Sequence, residues 1–208
     1  MEEVLEVYTR PYEPRRPWIC MDEVSKQLVG ETRQPLPAEP GQAVRYDYEY
    51  QRNGVCNLFL FFDPVQGWRH VEVTARRTMQ DWAWALKTVV EGYYPSADLI
   101  TVVLDNLTTH VPAALYATFP AAEARRLRRR LEFVYTPKHG SWLTMAEIEL
   151  SVVSRQCLNR RLAERDTVKR EVSAWEVRRN ADGVAVDWRF TTADARIKLK
   201  RLYPVIQD

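Results

Sequence analysis

Read for the period of its apolar positions, the chain changes character near residue 75. Pro17 to Asp22 (PWICMD) is a short apolar run closed by an acid, the pattern of a buried strand. Residues 31–45 hold three prolines and a glycine and predict a loop. Tyr46, Tyr48 and Tyr50 then alternate with Asp47, Glu49 and Gln51, and Asn53-Gly54 precedes the apolar run Val55 to Phe62. Asn-Gly tolerates the positive φ of a tight turn, so this stretch predicts a hairpin. Asp63 to Gly67 makes a second turn into Trp68–Thr74. Over 78–92 the spacing becomes helical, with Met79, Trp82, Leu86 and Val89 on one face, Thr78 as cap, and Gly92 and Pro95 as stop signals. Asp98 to Asp105 (DLITVVLD) is apolar without alternation, as in a strand covered on both faces. A helical stretch from Pro112 to Arg130 interrupted at Pro120, a strand at Leu131–Tyr135, and a loop from Thr136 to Ser141 follow. Helices are predicted from Thr144 to about Leu162, near 166–180 and over 192–202. The order, three antiparallel strands followed by alternating helices and strands, predicts a mixed α/β sheet with helices on its faces.

At 208 residues the chain has room for one domain with a sizeable core. No apolar run approaches the roughly 20 residues of a membrane span, and MEEVLEVYTRPYEPRR lacks the apolar centre of a signal peptide. A cytoplasmic location without membrane association is expected. Cys20, Cys56 and Cys157 are scattered, odd in number and without CxxC spacing, which supports neither a disulfide framework nor a zinc site. The net charge of +2 hides an asymmetry: residues 1–120 carry 11 basic and 16 acidic side chains, whereas residues 121–208 carry 19 and 12. The C-terminal part is therefore the one suited to a polyanion such as DNA.

Two acids close apolar strands, Asp22 after WICM and Asp105 after TVVL, and in open α/β sheets that edge is where ligands bind. A third, Glu147, lies in the first turn of the helix that begins at Thr144. Alone, Thr144-Met-Ala-Glu147 reads as a capping box. Yet the face Glu147 shares with Thr144, Ser151 and Ser154 is small and polar, leaving room for a metal and a phosphate. Three carboxylates are hard oxygen ligands suited to Mg²⁺ or Mn²⁺, and two such ions about 4 Å apart can activate a hydroxyl and stabilise the leaving oxygen at phosphorus.

MDEVSKQL at 21–28, RNGVCNLFLFFDPVQGWRHVEVT at 52–74, LDNLTTH at 104–110, YTPKHGSWLTMAEIELSVVSRQCLNRR at 135–161 and WRFTTADARIKLKRLYP at 188–204 together resemble the transposase domain of the IS630 family, within the IS630/Tc1/mariner superfamily of DDE endonucleases. Thr108 and Thr144 stand where that family usually has asparagine. The resemblance implies an RNase H-like mixed sheet with helices on both faces. It also implies a single DDE domain over 1–208, with 164–208 as a helical C-terminal extension; the N-terminal helix-turn-helix modules that the family carries are expected to be absent, because the first strand is read from Pro17. Its activity would be Mg²⁺-dependent (or Mn²⁺-dependent) DNA cleavage and strand transfer at insertion-sequence ends, with a TA target. Asp22, Asp105 and Glu147 would be the catalytic and metal-binding acids, holding two ions between them. The implied partners are transposon-end and target DNA, further copies of the chain on that DNA, and a separate helix-turn-helix product of the same element; the location would be the cytoplasm, on the nucleoid. The rival reading is a catalytically inert DNA-binding remnant or a regulator of the full transposase.

For contact with DNA the expected residues are His110, five positions after Asp105, then Lys138, His139, Ser141 and Trp142 ahead of the Glu147 helix, and Arg155, Arg160 and Arg161 along it. Lysine and arginine would neutralise phosphates, and Trp142 would stack on a base. The run Arg125, Arg126, Arg128, Arg129, Arg130 reads as a solvated helix face in preference to a DNA contact.

Overall fold

A computed structural model describes residues 1–138, 140–198 and 200. Its sheet has five strands in the order β3-β2-β1-β4-β5: β1 Trp18–Glu31, β2 Tyr50–Asp63, β3 Trp68–Thr74, β4 Ile100–Leu104 and β5 Leu131–Tyr135. β1, β2 and β3 are antiparallel neighbours, while β4 and β5 run parallel to β1. The five residues of β4 are all buried, as expected of a strand without alternation that is covered on both faces.

Each face of the sheet carries its own core. One packs Trp18, Cys20, Leu58, Leu60 and Val103 against α1 (Glu2–Tyr8), α5 (Met145–Gln156), α6 (Arg165–Ala181) and α7 (Thr192–Lys198). The other packs Ile19, Met21, Phe59, Phe61, Val102 and Leu104 against α2 (Met79–Thr88), α3 (Ala113–Thr118) and α4 (Ala121–Arg128). The alternation of side chains along β1 sorts its residues between the two. Thr78 caps α2 in a reciprocal capping box with Asp81, and a π-helical turn, Val89–Tyr93, carries the chain onward.

Four expectations are corrected. β1 does not end at Asp22 but runs nine residues further, paired throughout with β2. Asn53 and Gly54 make no hairpin turn: the ladder continues on both sides of them, and between Gln27↔Val55 and Val29↔Arg52 the register slips, so that Leu28 faces two residues. Gly54, at φ +94°, supplies the positive φ of that β-bulge. The connection of β1 to β2 is the proline-rich loop itself, folded back on Leu36↔Arg45 and Glu39↔Gln42, with Tyr46 and Tyr48 exposed on it. α1 was not foreseen; its Val4, Leu5 and Val7 are fully buried, and Tyr8 Oη donates to the Leu143 carbonyl at 2.6 Å. Finally, α5 stops at Gln156, short of Leu162.

The arginine run at the end of α4 is in part the solvated face expected, with Arg125, Arg126 and Arg129 exposed, and in part a set of local anchors. Arg126 bonds to Glu91, Arg128 to the Leu131 carbonyl, and Arg130 to the carbonyls of Tyr94, Pro95 and Ala97. These arginines tie the end of α4 to the segment entering β4, at the edge of the sheet opposite Asp105. Trp82 is buried as its helical spacing predicts, whereas Trp84, two positions on, is 55% exposed and packs against Phe119.

Candidate active site

Parallel pairing sets Cys20 of β1 beside Val103 of β4. β4 ends at Leu104, so Asp105 is the first residue past it, and extending the register by two places Asp105 level with Asp22. By alternation Asp22 shares the face of Cys20 and Val24, the face that receives α5. The two acids are thus neighbours because adjacent parallel strands present them at one height. Asp22 achieves this from the middle of its strand.

α5 lies across that face, burying Met145, Ala146, Leu150 and Val153. Thr144 is its N-cap residue, but the foreseen capping box is absent: the Thr144 side chain caps nothing, and its buried Oγ1 has no hydrogen-bond partner. Glu147 is accordingly left exposed. It lines an open depression of about 550 Å³ together with Asp22, Glu23, Val24, Leu150, Ser151 and Ser154. The small polar face read from the spacing of Glu147, Ser151 and Ser154 is a wall of this depression.

Asp22 is pushed up to about 6, chiefly by burial; the Glu23 backbone N–H, which donates to Asp22 Oδ1 at 2.7 Å, opposes this, and the charges of Asp105, Glu23 and Glu147 add to it. The acids therefore feel one another, although among the described residues no group of three or more His, Cys, Asp or Glu side chains is set at metal-holding distance. A carboxyl that holds its proton more tightly folded than unfolded destabilises the fold once ionised, so this group's contribution worsens as pH rises from its unfolded value, near 4, through 6. Asp22→Asn should consequently melt higher than the wild type at pH 8 in metal-free buffer, and the gap should shrink by pH 4. Thermal melts at the two pH values check this, and equal melting temperatures at pH 8 would refute it.

His110 is not at the DNA surface where it was expected. It is fully buried, and both ring nitrogens face carboxylates: Nδ1 lies 2.7 Å from Asp105 Oδ1 and Nε2 2.5 Å from Glu23 Oε2. Burial pulls the imidazole down, but hydrogen bonding to Asp105 and to Glu23 outweighs it and raises the group to about 9. Glu23 was missed by sequence reasoning. Its signal was its position beside Asp22, but alternation sends it to the opposite face, where only the fold brings it to His110.

A family model described as DDE superfamily endonuclease matches residues 17–169, from the first residues of β1 into α6. The chain belongs to the DDE superfamily endonuclease family. Solved structures share the fold of this DDE endonuclease domain. The Mos1 mariner paired end complex with Mn superposes at a TM-score of 0.57 with 17% identity, over 88% of this chain and 55% of that one. The pre-cleavage Mos1 transpososome superposes at 0.54 with 15% identity, over 90% and 61%. At such identities the likeness is one of fold, and it establishes the RNase H-like sheet; the chain spans little more than half the length of these structures. Among curated proteins, no relative matches it.

Around the DDE domain's acids, the basic residues divide. Lys138 and Arg155 are exposed, the latter donating only to the Ser151 carbonyl one turn back. Trp142 is 47% exposed, with Phe190 against its edge. Arg160 pairs with Glu171. Arg161 is occupied: it donates to Glu31 and to the carbonyls of Asp47 and Glu49, and lies over the Tyr50 ring. It anchors the β1–β2 loop through three of its five N–H groups. Ser141 opens a 3-10 turn, Ser141–Leu143, and His139 lies outside the described residues.

Proposed function

We propose that this DDE endonuclease domain is the catalytic part of an IS630-type transposase, cutting DNA at element ends and joining it to target DNA at TA sites. The observation that supports the reading is that Asp22 in β1 and Asp105 just past β4 stand level, with Glu147 and Asp22 lining one open depression, inside the stretch the family model matches. The donors suit Mg²⁺ or Mn²⁺ in kind, being carboxylate oxygens, and the charges of Asp105, Glu23 and Glu147 add to the burial that raises Asp22. Asp22, Asp105 and Glu147 would hold the metal, two ions on this reading. Bound there, it would sharpen a hydroxyl nucleophile and offset charge on the leaving oxygen.

The chain's own groups do the rest. Asp22 and Asp105 are fixed by strand pairing, so the reacting phosphate meets acids whose positions are set before it arrives. Ser151 and Ser154 keep the wall beside Glu147 low enough for a sugar-phosphate strand. Lys138 and Arg155 are placed to neutralise phosphates, and Trp142 to stack on an unpaired base. Mos1 structures are complexes with paired ends, which supports action as a homo-oligomer on DNA. Sequence reading would fall to a helix-turn-helix product of the same element, and the site of action would be the cytoplasm, on the nucleoid.

The test is nicking of supercoiled plasmid by the purified chain in Mn²⁺, in Mg²⁺ and in EDTA. Metal-dependent nicks are expected, with duplex affinity falling steeply as salt rises because phosphate contacts dominate. Salt-dependent binding without cleavage in either metal would instead favour the inert remnant or regulator.

A further inference from the structure

The ring of His110 is held on every side. Asp105 Oδ1 meets Nδ1 at 2.7 Å and Glu23 Oε2 meets Nε2 at 2.5 Å. The ring stacks on Trp82 at 5.5 Å and 26°, and the residue's carbonyl accepts from Tyr135 Oη at 2.8 Å. Its backbone N–H closes a turn on the Leu107 carbonyl. The Asp105 carboxylate can only accept, so Nδ1 is the donor of that bond.

Asp105 needs such a hold. It is the first residue beyond β4, so no ladder pairing continues through it. A carboxylate free to rotate must lose that freedom when it takes up a ligand. With Oδ1 fixed by His110, Oδ2 has no hydrogen-bond partner among the described residues and is the oxygen left to bind.

We propose that His110 is a positioning residue: braced by Glu23 and Trp82, it locks Asp105 in the rotamer that directs one oxygen toward a divalent cation. This rests on the catalytic reading above, and it adds Glu23 and His110 to the machinery although the side chains of both are buried. An outer residue that orients a metal ligand typically accounts for about 10- to 100-fold in metal affinity.

Asparagine and glutamine separate the two halves of the clamp. An asparagine amide nitrogen falls near the place of Nδ1 and a glutamine amide nitrogen near that of Nε2. His110→Asn therefore keeps a donor for Asp105 and gives up Glu23, while His110→Gln does the reverse. Both leave part of the ring's volume empty, so a merely structural loss would affect them alike. Mn²⁺ affinity, read from the electron paramagnetic resonance signal of free Mn²⁺ without DNA, should fall about 10-fold or more in His110→Gln and much less in His110→Asn. Should neither variant fold, Glu23→Gln, which preserves volume but weakens the brace, should lower the affinity several-fold. Equal affinities for the Asn and Gln variants, or an unchanged Glu23→Gln where those do not fold, overturn the clamp while leaving the catalytic reading in place. A wild-type chain that takes up no Mn²⁺ overturns both.

Discussion

Asp105→Asn should abolish metal-dependent nicking, lowering its single-turnover rate by about three orders of magnitude, which corresponds to about 4 kcal/mol of transition-state stabilisation. An amide is nearly isosteric with the carboxylate it replaces but contributes no negative charge to a metal, and its NH₂ turned toward His110 would set donor against donor. Both the ligand and its orientation are lost in one substitution. Duplex affinity in metal-free buffer should not weaken, because the change removes an anion from beside a polyanion. The pair of measurements separates chemistry from binding. Nicking within tenfold of the wild type would remove Asp105 from the site, and a parallel collapse of DNA affinity would point to misfolding.

The largest effect on stability should come from a residue two positions beyond Glu147. Glu149 is buried, and its carboxylate takes Arg69 at 3.1 Å and Arg179 at 3.1 and 3.3 Å. Arg69 is itself fully buried, stacked over Phe62 and donating to the carbonyls of Gly67, Arg179 and Val184. This cluster joins β3, α5 and α6 around one acid. Burial pulls the Arg69 guanidinium below its ordinary value, and Glu149 is the leading opposing influence. Glu149→Gln would leave that cation in the interior without its counter-charge, a loss of about 3–5 kcal/mol. Urea denaturation with unchanged m-value checks it. A single variant within about 1 kcal/mol of the wild type would show that the arginines are served by their carbonyls alone.

Strand type, helix type and the alternation of layers were legible wherever local pattern and final environment agree. DLITVVLD reads as doubly covered and β4 is; Thr78 reads as a cap and Asp81 completes it. The level placement of Asp22 and Asp105 was legible too, though Asp22 lies within its strand: the apolar run stops at Met21 because β4 ends beside it, not because β1 ends. What escaped was whatever depends on partners distant in sequence. Asn-Gly at 53–54 has the same positive-φ chemistry in a bulge as in a turn, and only the ladder across to Gln27 and Val29 tells them apart. α1 is seven residues long, too short for its period to show, and is held by core contacts. His110 and Glu23 lie 87 positions apart, so their pairing has no local signature.

Where β4 ends, another segment takes its place along β1. The Val29 N–H donates to the Leu162 carbonyl at 2.8 Å, Lys26 Nζ to that of Leu158 at 2.7 Å, and Asn53 to that of Ala163 at 3.1 Å. This segment is the outgoing end of α5, whose opposite end carries Glu147. β1 and α5 are therefore joined twice, once through the core beneath Leu150 and Val153 and once through these bonds beyond Gln156. Two bars fastened at two points make a truss, which resists shear in a way that a single hinge does not. The spacing of Asp22 and Glu147 is thus set by two backbone fastenings, and on the proposed reading an ion would be met by torsions about the side-chain bonds of the two acids.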